Sequence, residues 1–351
     1  MARATLRLTL DCDNRCTFCG QAGLAPAEAE RPLAERLHEL RANAEELSFV
    51  GGEPTLAPGL PAAVRAAREA GFTKVGVQTN GRRLADLPYA NSLIAAGLTD
   101  AQVTVLGDSP AAHDFHTGVD GSFDALLKGV AHARAKGLVV VAATVLTRSN
   151  FRELSGLPEL LRARGLSAWL LALPRVAGRA ADHFDRVIPR LGMALPYALQ
   201  ALALAAKIGL PAWIRGAPLC ALGPFSRRVL SEPPRAFGET CQACAARAIC
   251  PGLDPPYLAR FGEDELSPAS ASPARDAPDA LARLFVGEGE LSARPSLRVA
   301  PCPAQSRSAL ALHEKVTRAT GEATQGAPRR SGEALKELFP QLYDDAKQPP
   351  R

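Results

Sequence analysis

The chain has 351 residues, 47% hydrophobic and 22% charged, which places it among ordinary globular proteins and excludes a disordered or collagen-like chain. Forty-one basic residues against 36 acidic ones leave a net charge of +5, and the Arg pairs at 82–83, 227–228 and 329–330 stand far apart, so no nucleic-acid partner is expected. No apolar run approaches the roughly 20 residues of a spanning helix, and none follows Arg3 and Arg7 as a signal peptide requires; a cytoplasmic location without a membrane partner is expected.

From residue 5 to 205, short apolar or β-branched runs alternate with longer amphipathic ones. The pattern predicts six strands, over 5–10, 46–50, 74–78, 101–106, 138–146 and 167–173. Crossover helices are predicted over 32–44, 60–70, 122–136 and 151–164, with a last helix within 195–208. Repeated β-then-α order with near-continuous apolar strands reads as a parallel sheet covered by helices, an α/β fold in an open or closed barrel. Beyond 209, Pro, Gly and Cys replace the periodic pattern, so a smaller irregular cysteine-rich domain is expected over 210–266. The stretch 267–279, SPASASPARDAPD, reads as a linker, and 321–331 is similar. A short amphipathic helix over 333–339, with Leu335, Leu338 and Phe339 on one face, completes a linker and C-terminal extension spanning 267–351. No internal repeat is found.

Eight cysteines fall at 12, 16, 19, 220, 241, 244, 250 and 302. Clustered in this way they point to metal ligands in a reducing compartment rather than to disulfides. Cys12, Cys16 and Cys19 form C-x3-C-x2-C in the loop DCDNRCTFCG, just after the first predicted strand. Three thiolates leave a zinc tetrahedron one ligand short, whereas a cubane iron–sulfur cluster on three thiolates keeps one iron open for an amine and a carboxylate. Gly51-Gly52-Glu53-Pro54-Thr55 follows the second predicted strand. Paired glycines let backbone approach a ligand without a Cβ clash, and a carboxylate or backbone carbonyl accepts from an ammonium. The bland alternatives are half of a zinc site completed from elsewhere, and a strand-to-helix turn with proline near its first helical position.

With Phe18 before the third cysteine, the first loop resembles that of the radical S-adenosylmethionine superfamily, and Gly51-Gly52-Glu53-Pro54 stands where that family holds the methionyl amino group. The resemblance implies a partial (β/α)6 radical-SAM barrel over 1–209. Within it Cys12, Cys16 and Cys19 bind a [4Fe-4S] cluster, and Phe18, Gly51, Gly52, Glu53 and Pro54 bind S-adenosylmethionine. Thr79 and Asn80, in Gln78-Thr79-Asn80-Gly81, resemble the family's turn near the nucleoside. Thr104 stands where relatives carry Ser or Thr facing the cofactor, and Arg148 and Asn150 lie in a TRSN segment of similar kind. Polar turns capping strands account for the same residues. Many relatives follow a His-Asp pair with an arginine for the cofactor's carboxylate, whereas this chain reads His113-Asp114-Phe115-His116-Thr117. That contact is therefore not expected, and His113 and His116 are assigned to a solvated turn rather than to acid–base work. No catalytic acid or base is assigned.

Cys241, Cys244 and Cys250 form C-x2-C-x5-C, and Cys220 completes a set of four thiolates that suits either structural zinc or a second cubane. Together with Pro251-Gly252 and Tyr257-Leu258, the element resembles the SPASM/Twitch extension of radical S-adenosylmethionine enzymes that modify peptides and proteins. The resemblance implies one auxiliary [4Fe-4S] cluster, leaves Cys302 a spare thiol, and implies cleavage of S-adenosylmethionine to a 5′-deoxyadenosyl radical that abstracts hydrogen from a peptide or small-molecule substrate. It also implies an electron donor such as a flavodoxin or ferredoxin. No leader-binding segment precedes the barrel, so a separate peptide-recognition protein or the C-terminal region is expected to serve. A tRNA methylthiotransferase is set aside because only eleven residues precede Cys12, and a molybdenum-cofactor cyclising enzyme because its C-terminal cysteines have a wider gap before the third. A non-catalytic iron–sulfur electron-transfer protein and a zinc-binding interaction module are the two rival classes.

Overall fold

The computed structural model describes residues 3–22, 31–230, 232–274, 276, 280–285 and 288–289. Cys302, the 321–331 stretch and the 333–339 helix lie outside the described residues.

Strands and helices alternate from the first residues: β1 (Arg3–Thr9), α1 (Leu33–Arg41), β2 (Glu46–Gly51), α2 (Leu60–Glu69), β3 (Lys74–Thr79), α3 (Leu87–Ala95) and β4 (Asp100–Thr104). Then come α4 (Pro110–Thr117), α5 (Ser122–Ala135), β5 (Val139–Val145), α6 (Leu157–Ala163) and β6 (Trp169–Ala172). The short α7 (Arg179–Asp182) and α8 (Phe184–Val187) lead to α9 (Leu191–Lys207) and β7 (Ala212–Arg215), followed by α10 (Pro255–Phe261) and β8 (Glu288–Gly289). The sheet order is β7-β6-β5-β4-β3-β2-β1-β8, and every pair is parallel. Sequential parallel neighbours require crossovers of one hand, which wind the sheet into an α/β partial barrel. No helix among the described residues is long and apolar enough to cross a membrane.

The six expected strands are present, and the structure adds two that the sequence reading left out. β7 lies beyond residue 209 yet pairs with β6, Leu170 opposite Trp213 and Ala172 opposite Arg215. β8 pairs Glu288 with Ala4 and Gly289 with Thr5. The expected 151–164 helix is a 3-10 stretch, Phe151–Gly156, running into α6. α9 begins at Leu191, four residues before the expected 195, because Pro196 sits inside the helix and reads in sequence as a start signal.

Alternate residues of each strand feed two different layers. One face, with Leu6, Leu47, Phe49, Val75, Val77, Val103, Val140, Trp169 and Ile214, packs under the helices. On the helix-free face, Val141, Leu170 and Trp213 pack with Leu230, Leu284 and Phe285. At the N-terminal end of that face, Arg3 donates to Ser48 Oγ at 2.6 Å, Glu46 at 3.1 Å and Asp100 at 2.5 Å. All four residues are buried, and a Cβ on Gly76 would collide with both Arg3 and Asp100. Buried charges persist in such a place only when paired. Towards the C-terminal strand ends the same face opens, and Arg7, Gln78, Gln102, Thr104, Val145, Ala172 and Arg215 are all half-buried.

The solvated turn expected around His113 is instead the helix α4, capped by Ser109 with Pro110 at its start. His113 and His116 point inward at 2% and 3% exposure. His113 Nδ1 accepts from the Leu106 amide at 3.2 Å, and His116 Nε2 lies 3.2 Å from Thr147 Oγ1. Burial pushes the His113 pKa down to about 4, the His116 charge acting in the same direction and Asp114 opposing. The folded state therefore binds this proton less readily than the unfolded chain, so the stability contributed by neutral His113 is complete above pH 6.5 and lost as pH falls towards 4. A loss of about 3 kcal/mol is expected over that window. Urea unfolding of the wild type and of His113→Leu between pH 7 and pH 4 measures it: the variant is less stable at pH 7, and its stability falls less steeply on acidification.

Candidate metal and cofactor site

The first cysteine loop leaves β1 as β2 ends beside it. Gly52 N donates to Thr9 O at 2.8 Å and Glu53 N to Asp11 O at 2.7 Å, which carries the parallel ladder past the strand ends. This approach explains both glycines. Gly51 has φ +138°, and a Cβ there would strike Thr9 O; a Cβ on Gly52 would strike Leu10 O and Asp11 O. The Cβ-free side expected to face a ligand faces the start of the cysteine loop instead.

Glu53 holds the neighbouring strand ends together. Its carboxylate, 1% exposed, accepts through Oε1 from Thr55 N (3.1 Å), Thr55 Oγ1 (2.7 Å) and Thr79 Oγ1 (2.6 Å), and through Oε2 from Asn80 N (2.6 Å). Burial raises its pKa, and these donors oppose the rise. Of the two acceptors the sequence reading weighed for an ammonium, the carboxylate is thus spent on protein donors. Glu53 O likewise accepts, from Leu56 N at 3.0 Å. Pro54 is buried at the start of the 3-10 turn that Glu53 caps.

β3 braces the loop from the other side. Asn80 Nδ2 donates to Asp13 Oδ1 at 2.6 Å, and Arg82 reaches Asp13 O at 2.9 Å, Asn14 Oδ1 at 3.0 Å and Asp13 Oδ2 at 2.8 Å. From the far end of the chain, Arg179 N donates to Cys19 O at 3.0 Å and its guanidinium to Cys16 O at 3.3 Å. Gly178, at φ +53°, sits so close that a Cβ would meet Cys19 O at 2.6 Å. None of Asp13, Asn14, Arg82, Gly178 and Arg179 was singled out from sequence. Arg82 follows the Asn80-Gly81 turn and carried a local signal; Gly178 and Arg179, some 160 residues from the loop, carried none.

Cys12 is exposed, Cys16 and Cys19 half-buried. Burial first, then the neighbouring Cys19 and Cys12 thiols, push Cys16 up to about 12. Burial likewise raises Cys12, whose Sγ accepts from Asn14 N at 3.4 Å. Phe18 packs half-buried against the helix-side core. Thr104 lies on the helix-free face of β4. Asn150 is buried, accepting from Thr147 N at 2.8 Å and donating to Val145 O at 2.9 Å, whereas Arg148 is exposed and donates to Asp185 O at 2.5 Å.

The second group of cysteines is gathered more openly. Cys220, Cys241, Cys244 and Cys250 all line one small pocket, with Phe237 and Arg247 among its walls. Burial raises the Cys220 pKa, and the charges of Cys250, Cys241 and Cys244 add to the rise. Cys250 Sγ accepts from Gly252 N at 3.5 Å, and Cys244 Sγ from Ala269 N at 3.3 Å. Among the described residues, no three His, Cys, Asp or Glu side chains converge as the ligands of one metal ion do. Cubane ligands bind separate irons and need not converge in that way.

Residues 6–160 match the model of the Radical SAM superfamily. Among relatives, the chain is 28% identical over 140 residues to an AdoMet-dependent heme synthase of Nitratidesulfovibrio vulgaris, covering 40% of this chain and 38% of that protein. It is 33% identical over 171 residues to a probable GTP 3′,8-cyclase of Saccharolobus islandicus, covering 46% and 54%. The chain thus matches about half, or less, of the length of these relatives. Its fold resembles that of Streptococcus suis SuiB, with a TM-score of 0.51 at 15% identity over 63% of this chain and 51% of that one. The match implies a [4Fe-4S] cluster and S-adenosylmethionine, and the residues present fit them: three thiols in one short loop beside a turn whose Cβ-free backbone is locked to that loop.

Proposed function

We propose that this protein cleaves S-adenosylmethionine to methionine and 5′-deoxyadenosine, removing hydrogen from a peptide or small-molecule substrate, with the cluster on Cys12, Cys16 and Cys19. The observation that supports this reading is the main-chain lock between the cysteine loop and Gly51–Glu53, which holds the glycine turn against the loop that carries the three thiols. When bound, a cubane on three thiolates supplies an open iron and one electron. The chain's own part is positional. Arg82, Asp13 and Asn80 fix the loop against β3, Thr79 and Asn80 are the proposed nucleoside contacts, and the apolar layer around Trp213 and Leu170 keeps water from the floor of the helix-free face. Phe18, Thr104 and Arg148 complete the proposed cofactor contacts.

The test is anaerobic reconstitution with iron and sulfide, reduction, and chromatographic assay of S-adenosylmethionine products. Formation of 5′-deoxyadenosine is expected. An iron-loaded, reduced protein that forms none contradicts the reading and favours a plain electron carrier.

Cys220, Cys241, Cys244 and Cys250 are proposed to hold an auxiliary [4Fe-4S] cluster, on the support of the four-thiol pocket. About eight irons per chain are expected in the wild type, falling to about four in Cys250→Ser while 5′-deoxyadenosine is still formed. About four irons with one zinc in the wild type would assign the second site to structural zinc. A flavodoxin or ferredoxin as electron source, and a separate protein for peptide recognition, belong to the same proposal.

A further inference from the structure

Arg215 is the last residue of β7. The register Val145–Ala172–Arg215 puts it on the helix-free face, in the row nearest the C-terminal strand ends. Trp213, two residues earlier on the same face, is buried with Leu230 and Phe285; Arg215 lies beyond that layer, half-buried, where the cleft opens.

Five charged side chains gather at this end: Arg175, Arg215 and Arg235 against Glu232 and Asp254. Arg235 is spent on Gly216 O (2.6 Å), Gly252 O (3.1 Å) and Asp254 Oδ1 (3.2 Å). Arg175 lies 3.2 Å from Asp254 and 3.8 Å from Glu232, whose other oxygen is 3.7 Å from Arg235. Both carboxylates are thus shared between Arg175 and Arg235. The Arg215 side chain makes no hydrogen bond or ion pair among the described residues, and burial lowers its pKa, with Glu232 opposing the shift and Arg175 adding to it. A guanidinium keeps its proton at any working pH, so the cost of its desolvation stands until an anion arrives.

We infer that Arg215 anchors a carboxylate of the substrate at the β7 end of the helix-free face. The ligand class is an acylated amino acid or a peptide segment bearing a free carboxylate. Calling this ligand the substrate rests on the function proposed above; the binding site itself does not.

The probes are N-acetylglycine, its neutral analogue N-acetylglycinamide and inorganic phosphate, titrated by ligand-observed NMR into the full-length reconstituted protein. The wild type should bind the acid about tenfold or more tightly than the amide, the usual size of a charge-assisted hydrogen bond. Arg215→Gln should erase that preference, and Arg215→Lys should keep part of it. Equal binding of acid and amide by the wild type overturns the assignment, as does an acid preference that survives in Arg215→Gln. Tighter binding of phosphate than of the acid overturns the carboxylate class. Loss of S-adenosylmethionine binding in Arg215→Gln, with iron retained, would assign the guanidinium to the cofactor instead. Should the Gln variant fail to fold, the Lys variant carries the test through its reduced acid preference. None of these titrations needs turnover, so an intact acid preference in a protein that makes no 5′-deoxyadenosine defeats the function reading alone.

Discussion

Replacing Cys16 by Ala is expected to abolish 5′-deoxyadenosine formation and to lower the iron content from about eight to about four per chain, leaving the auxiliary site filled. Cys16 lies between its two partners in the loop, and its thiol responds to the charges of both Cys19 and Cys12. Two thiolates cannot hold a cubane that already leaves one iron to an exogenous ligand. The loop itself should survive the change, because it is held by main-chain atoms: Arg15 N donates to Thr117 O at 2.7 Å and Arg179 N to Cys19 O at 3.0 Å. Loss of activity without loss of folding, read by thermal unfolding, separates a ligand from a structural thiol. A Cys16→Ala protein that still makes 5′-deoxyadenosine would exclude the assignment.

Glu53→Ala is expected to damage fold and chemistry together. The substitution strips the acceptor from Thr55 N, Thr79 Oγ1 and Asn80 N at a site with almost no solvent access. Buried donors left unpaired around a lost charge cost about 3–5 kcal/mol in comparable networks. β2 and β3 then lose their connection at the ends that carry the glycine turn and the Asn80 turn, so the cysteine loop loses both braces. Glu53→Gln keeps the shape but turns an amide nitrogen towards a donor, for an expected loss of about 1–3 kcal/mol. Urea unfolding of the two variants should rank them Ala below Gln below wild type, with S-adenosylmethionine cleavage lost in Ala. A Glu53→Ala protein as stable as the wild type would mean that the carboxylate is free to serve a ligand, against the hydrogen bonds described.

The strands that show in the sequence are those whose physical demand is local. β1 to β6 each bury one side under helices and much of the other, so their apolar runs stand out, and their boundaries fall within a few residues of expectation. β7 is four residues, Ala-Trp-Ile-Arg, with a polar end facing the cleft, and no pattern that short separates a strand from a loop. The helix α4 hides for the opposite reason: two buried histidines on its inner face read as polar.

At the site, the cysteine loop and the glycine turn are legible because their chemistry needs particular residues at fixed spacing. What each residue does there is less legible. The glycines serve the approach of Leu10 and Asp11, and the Glu53 carboxylate serves Thr55, Thr79 and Asn80. Both facts depend on which strand lies next to which, and adjacency is a property of the sheet rather than of any segment. Gly178 and Arg179 reach the loop only once the barrel has wound round to α7.

The most direct measurement is the electron paramagnetic resonance spectrum of the reduced protein, in a variant with Cys220, Cys241, Cys244 and Cys250 changed to Ser so that a single cluster remains. Addition of S-adenosylmethionine should alter the cluster's g-values, as ligation of an open iron by an amine and carboxylate requires. A reduced cluster whose spectrum is indifferent to S-adenosylmethionine would contradict the account.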